Sequence, residues 1–239
     1  MIESAMAARL QPSQYAVLDL DGTLHPGSLG LIVAEEIALR FPDRSALHRI
    51  LGSHIKNIRT GHSLSDFTYA YELYGSLIEG LNVADLALIH KKVWKRERLR
   101  LFDYVRPAVM SLKHSGYQLV LLSGSPHGIV SLAAKDLGID YCQGAEYFVD
   151  GQLSTATISV QVGTPGTKSV YFVDVFGSIP SLAVGNTSGD SDILGLSERA
   201  IAFEPDDKLR SSAVERGWSI ADRESALSAI KHCSAMGSP

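Results

Sequence analysis

The chain has 239 residues, 45% hydrophobic and 20% charged, with a net charge of −4, a balance that fits one large globular domain or a core with an insertion. No basic surplus exists to neutralise phosphates, which argues against nucleic acid as the main partner. Cys142 and Cys233 match no zinc or redox spacing, no run approaches ~18 apolar residues, and Met1 to Gln14 lacks an apolar leader core; a reducing, cytoplasmic setting without a membrane span is expected.

Tyr15-Ala16-Val17-Leu18 leads straight into Asp19-Leu20-Asp21-Gly22-Thr23. The apolar run predicts a strand, and residues two apart on a strand point the same way. Both carboxylates then emerge together at the strand's C-terminal end, where open α/β sheets bind ligands. Two like charges this close call for a cation or a shared proton. The pair reads as a Mg²⁺ site with a nucleophile, Asp19, beside an acid/base group, Asp21. Asp-Gly is also an ordinary turn, so the rest of the chain decides.

Between about Pro26 and Tyr104 no strand pattern occurs. Segments 28–41, 45–59, 63–78 and 82–101 carry helical apolar spacing, and Ser63-Leu64-Ser65-Asp66 resembles a capping box. A stretch of about 75 residues exceeds a single crossover. It predicts a helical insertion over the strand ends, able to close the site against water. Its basic run, Lys91, Lys92, Lys95, Arg96, Arg98 and Arg100, reads as a solvated helix face. Phe67, Tyr71 and Tyr74 share another face by i, i+4, i+7 spacing, with Tyr69 on the same helix. That face either packs the insertion's own small core or lines a pocket for an apolar or aromatic leaving group.

Gln118 to Ser123 is apolar almost throughout, as a parallel strand buried on both faces should be. Ser125-Pro126 then predicts an N-cap and first position of a helix running to about Leu137. The Ser123 hydroxyl and the N–H groups of the turn at Gly124 can hold phosphate oxygens. Glu146 to Val149, Asp150-Gly151 and Gln152 to Val162 predict a β-hairpin. The turn-rich Gly163 to Thr167 opens a helix at Lys168, a cation able to neutralise a phosphoryl group. Strands are expected at Ser181 to Gly185 and Arg199 to Phe203, helices at Asp206 to Gly217 and Asp222 to Lys231, and a free tail from Ser234. Between strand and helix, Asn186 to Asp192 is dense in oxygen-bearing side chains suited to Mg²⁺. This βαβ rhythm predicts a doubly wound parallel sheet. No G-x-G-x-x-G follows a strand and no G-x-S-x-G occurs, so hydride transfer and serine hydrolysis are unsupported.

Taken in order, D-x-D-G-T at Asp19, a strand ending at Ser123, Lys168, and the turn Gly185-Asn186-Thr187-Ser188-Gly189-Asp190 resemble the four motifs of the haloacid dehalogenase (HAD) superfamily. The resemblance runs from about Tyr15 to Lys231. It implies a HAD-like α/β core of residues 1–25 and 105–239 and an inserted all-helical cap of residues 26–104. It also implies that Asp19 forms an aspartyl-phosphate and that Asp21 serves the leaving alcohol as acid and then water as base. Ser123, Gly124 and Lys168 would bind the phosphoryl group, and Asp19, the Asp21 carbonyl, Asn186 and Asp190 would hold Mg²⁺; a direct part for Asp192 is left open. Dehalogenases of the superfamily lack the second aspartate, so Asp21 favours phosphate esters. The implied activity is hydrolysis of a small phosphomonoester. Transfer to an alcohol acceptor is the rival, and a weakened binding protein is a second rival, to which only Asn186 in place of aspartate points. The insertion after the first motif and Ser123-Gly124-Ser125-Pro126 resemble the phosphoserine-phosphatase-like group. There, a glutamate reads the substrate amine and a cap arginine its carboxylate; here Ser28 stands at the first position and Tyr74 or a neighbour at the second. Phosphoserine is therefore not the expected substrate.

Overall fold

A computed structural model describes residues 14–58 and 64–235. Strand β1 (Tyr15–Leu18) is followed by four helices, α1 (Leu29–Arg40), α2 (Ser45–Ile58), α3 (Leu64–Ile78) and α4 (Val83–Glu97). Then come α5 (Val105–His114), β2 (Gln118–Pro126), α6 (His127–Leu137), and the hairpin β3 (Tyr141–Asp150) and β4 (Leu153–Val160). The chain closes with α7 (Thr167–Phe176), β5 (Leu182–Gly185), α8 (Ser191–Leu196), β6 (Ala200–Phe203), α9 (Asp207–Arg216), β7 (Ser219–Ala221) and α10 (Ala226–Ala235).

The seven strands form one sheet in the order β4-β3-β2-β1-β5-β6-β7. Only the β3–β4 pair is antiparallel. The central strands β1, β2, β5 and β6 are largely apolar because both faces are covered. Ala16, Leu18, Leu119 and Leu121 pack with the buried faces of α5, α6 and α10. Val17, Val120 and Leu122 point the other way, onto Phe172 of α7, Ile193 and Leu194 of α8, and Leu209 of α9. The chain runs outward from β1 on one side and resumes at β5 on the other, so the strand order reverses between these neighbours. That reversal opens the crevice where such sheets bind ligands, and the Asp19 and Asn186 turns leave the sheet there.

The structure differs from the sequence reading at several ends. Strand β2 continues to Pro126, which pairs with Ala145, so the helix starts at His127 and Ser125 is no N-cap. The edge strand β7 and helix α5 had no assigned element; β7 is only three residues long, too short to show alternation. Asp222 to Ser225 is a side-chain-bonded turn in which the Asp222 carboxylate accepts from two backbone N–H groups and the Ser225 hydroxyl, and the helix begins at Ala226. Ser234 and Ala235 belong to that helix, while 236–239, residues 1–13 and the Ser63 cap lie outside the described residues. The basic run is exposed, as a solvated helix face should be, and it also carries ion pairs: Lys92 with Glu36, Arg96 and Arg100 with buried Glu97, and Arg98 with Asp136. Both cysteines are free. No helix among the described residues is long and apolar enough to cross a membrane.

The helical segment is fastened to the sheet at two places. Near β1, Phe102 N–H donates to the Leu24 carbonyl, and buried His25 reaches Glu97 at the end of α4 (3.2 Å). At the far side, the α3–α4 turn bonds to β4: Gly80 N–H to Ser154 O, Ser154 N–H to Leu81 O, and Val83 N–H to Gln152 O. Helix α3 lies so close to β4 that a Cβ on Gly75 would strike the Ala156 carbonyl. Gly52, in α2, has no neighbour within 4 Å. Gly75→Ala should therefore lose about 1–2 kcal/mol net in urea unfolding, overpacking exceeding the gain in helix propensity, whereas Gly52→Ala should gain ~0.5–1 kcal/mol.

Candidate active site

The D-x-D turn is shaped by backbone needs. Asp19 N–H still donates to Val184 of β5 (3.0 Å), so Asp19 leaves the sheet in register. Gly22 adopts φ +85°, and a Cβ there would collide with the Asn186 amide. Glycine is thus required both for the turn and for the approach of the last motif.

The structure brings Asp19, Lys168 and Asp190 together. Lys168 Nζ donates to Asp19 Oδ1 and to Asp190 Oδ1, both at 2.6 Å, and all three residues are at most 8% exposed. Thr23 Oγ1 donates to the other Asp19 oxygen (2.8 Å). Burial alone would lower Lys168, but Asp19 and Asp190 outweigh it and hold the ammonium well above its usual range. Burial and the charge of Asp190 lift the Asp19 carboxyl to about 7 against the opposing pull of Lys168. One ammonium shared by two buried carboxylates leaves a negative surplus, which further positive charge would relieve.

Asp190 turns both oxygens to protein donors. Its Oδ2 accepts from Asn186 N–H, Thr187 N–H and the Thr187 hydroxyl at 3.0 to 3.2 Å. In this geometry it organises its own turn and bonds Lys168. Asp192 accepts from Ser169 N–H (2.8 Å), fixing the first turn of the helix that carries Lys168.

Asp21 is held at the mouth of α1. Leu29 N–H donates to its Oδ1 (2.7 Å), and the hydroxyls of Ser123 (3.0 Å) and Ser125 (2.6 Å) donate to its Oδ2. A carboxylate at a helix N-terminus satisfies orphan N–H groups and faces the positive end of the dipole. Ser125 also accepts from Gly30 N–H (2.7 Å). Ser123, expected as a phosphoryl binder, thus spends its hydroxyl on Asp21, and Gly124 lies beside it on the cavity wall. Thr23 and Ser125 were missed: a threonine in a turn and a serine before proline read as ordinary turn and cap residues.

Asp19, Asp21, Gly124, Ser125, Lys168, Asn186 and Asp190 line one cavity of about 470 Å³. Ser28 and Tyr74, the two positions departing from the phosphoserine-phosphatase-like pattern, both line it. Tyr71 crosses from α3 until its hydroxyl lies against Gly124 and Gly163, where a Cβ on either glycine would collide with it. Sequence spacing put Tyr71 on the right face of α3 but not at the second motif. Tyr69 points away and is exposed, its ring against His54.

Among the described residues, no three His, Cys, Asp or Glu groups converge as a metal site. The oxygens present are of mixed kind. Asn186 Oδ1 is buried without a hydrogen-bond partner, beside the Asp21-Gly22 turn. A lone buried acceptor next to a carboxylate surplus suits a hard cation that prefers oxygen and keeps its waters.

A buried carboxylate–ammonium–carboxylate chain at the ligand-binding edge of a doubly wound sheet, under helices, marks a hydrolase of the α/β class. The chain belongs to the haloacid dehalogenase-like hydrolase family, whose model matches residues 16–168. Phosphoserine phosphatase SerB1 of Mycobacterium tuberculosis (strain ATCC 25618 / H37Rv) is 25% identical over 224 residues, covering 90% of this chain and 73% of that protein. A solved protein of unknown function from Bordetella pertussis Tohama I shares the fold at TM-score 0.75 and 19% identity, covering 89% of this chain and all of that one. A phospho-aspartyl intermediate analogue of phosphoserine phosphatase does so at TM-score 0.65 and 17% identity, covering 89% of this chain and 94% of that one.

Lys168→Met should leave two buried carboxylates facing each other and lower stability by about 3–5 kcal/mol in urea unfolding. Adding Asp190→Asn should restore at least ~1 kcal/mol, because it removes the like charge.

Proposed function

We propose that the protein is a Mg²⁺-dependent phosphomonoester hydrolase acting through an aspartyl-phosphate on Asp19, with residues 26–104 as a helical cap over the core. The observation that carries this reading is the pair of differently held aspartates at one sheet edge. Asp19 is buried and bridged to Lys168. Asp21, two residues on, is oriented by three donors from the strand end and helix α1. Two carboxylates in two environments suit two roles.

Asp19 attacks phosphorus in line, forming an O–P bond as the ester O–P bond breaks. Asp21 delivers its proton to the departing alcohol oxygen. Lys168 stays between the nucleophile and the phosphoryl oxygens, and Gly124 N–H and the Ser123 hydroxyl, turned from Asp21 to the substrate, hold those oxygens. Asp21, now a carboxylate, takes a proton from water as the water oxygen bonds phosphorus and Asp19 leaves. Asp19, the Asp21 carbonyl and Asn186 would hold Mg²⁺, which would supply charge for the phosphoryl oxygens and for the carboxylate surplus. Asp190 acts through Lys168 and the Asn186 turn.

The name of the mycobacterial relative speaks for phosphoserine, but the cavity does not. Ser28 and Tyr74 offer neither of the charges that would meet an amino acid's ammonium and carboxylate.

Asp19→Asn should keep the fold and lose several powers of ten in turnover of a generic aryl phosphate; retention above ~1% would remove Asp19 as nucleophile. Exhaustive EDTA treatment should abolish phosphate release and added Mg²⁺ should restore it, whereas full activity in EDTA would refute the metal requirement. Product analysis with added alcohols separates hydrolysis from transfer.

A further inference from the structure

The cavity is far larger than a phosphoryl group and falls within the range of small-molecule sites, about 300–1,000 Å³. Its phosphoryl end carries Asp19, Asp21 and Lys168. Its other wall is contributed by α2, α3 and β3 and is of different character: Leu51, Ile55, Phe67, Ala70, Tyr74 and Tyr147 line it. No lysine or arginine of the helical segment does so among the described residues. The one arginine on the rim, Arg223, is already engaged by both Glu204 oxygens (2.9 and 3.2 Å), and its guanidinium lies over the Phe102 ring at 4.7 Å. Among the described residues, a zwitterionic leaving group finds no unpaired cation for its carboxylate and would surrender its hydration without return. Apolar groups would gain from the same wall.

This wall is held in place. Tyr147 donates its hydroxyl to the Tyr71 carbonyl (2.9 Å), pinning α3 to β3, and the rings of Tyr74 and Tyr147 pack at 5.8 Å. Tyr71 itself reaches Gly124 of the second motif, so the apolar wall begins where the phosphoryl end stops. Tyr74 keeps a buried hydroxyl without a partner, one polar contact in an otherwise apolar surface.

We propose that the α2–α3–β3 wall is a leaving-group site for an uncharged, apolar-bodied alcohol or phenol; the assignment rests on the hydrolase reading above and names the class of ester it serves. The body is a ring or an alkyl chain, and esters of polar or zwitterionic alcohols are disfavoured substrates.

The test uses the full chain with Mg²⁺ and follows phosphate release from benzyl phosphate, octyl phosphate, phosphoserine and acetyl phosphate. Benzyl and octyl alcohols leave no more readily than serine, so a difference reads binding and not leaving-group reactivity. At least one of the two should exceed phosphoserine tenfold or more in kcat/KM, about 1.4 kcal/mol in the transition state. Phe67→Ala, at a partly exposed position, should lower the ratio of the preferred ester to acetyl phosphate at least fivefold, mainly through KM. A preference under tenfold, or a ratio that Phe67→Ala leaves in place, overturns the leaving-group site. Acetyl phosphate turnover in those cases leaves the hydrolase reading standing. Failure to release phosphate from any of the four overturns both.

Discussion

The shared ammonium of Lys168 is the contact on which the site depends. It joins residues 149 and 22 positions away in the chain, each at the end of a different element. The contact exists only because β1 and β5 are neighbours in the sheet, with α7 laid across one face. Buried charges of this kind are costly unless their geometry is complete, and the last motif is built to complete it. Asp190 bonds the ammonium directly. Asp192, two residues on, holds the N-terminus of the helix that carries the lysine. Two carboxylates of one turn thus serve one cation, the first by charge and the second by aiming its helix.

The strands were legible because burial on both faces leaves an unbroken apolar run, as in Gln118 to Ser123, and the helices of the insertion because each repeats its apolar spacing for three or four turns. The two aspartates were legible from alternation. Thr23 and Ser125 were not, because short polar residues in turns read as turn formers; their roles appear only when the chain folds a distant carboxylate against them. Asp190 was legible as an oxygen donor from its type and place, but its bonds to three donors of its own turn and to the lysine were not, because spacing along the chain does not express them. Lys92, Arg96 and Arg100 lie exposed as their spacing suggested, but their acidic partners are recognised as such only after folding: Glu36 lies far off in sequence, and Glu97 is buried among them.

The helical segment and Asp21 are parts of one arrangement. Helix α1 would begin with unmet N–H groups, since its Ser28 cap makes no side-chain hydrogen bond. Asp21 and Ser125 meet them instead, at Leu29 and Gly30. The first helix of the segment is therefore anchored by Asp21, and the orientation of that carboxylate depends on where the helix starts. Tyr71 makes the corresponding link from α3, and Gly124 and Gly163 have no side chain because its hydroxyl fills that space.

The seam between the α3–α4 turn and β4 bears on how the molecule behaves among its own copies. A sheet of seven strands has two open ends, and an edge strand with free main-chain groups is a template for another chain. At one end, Ser154 has its N–H and C=O already bonded to Leu81 and Gly80, and Gly75 presses on the carbonyl of Ala156. At the other, β7 presents only three residues. The helices above the cavity thus also shield the sheet, and a change that lifted the turn from β4 would expose an adhesive edge along with the active site.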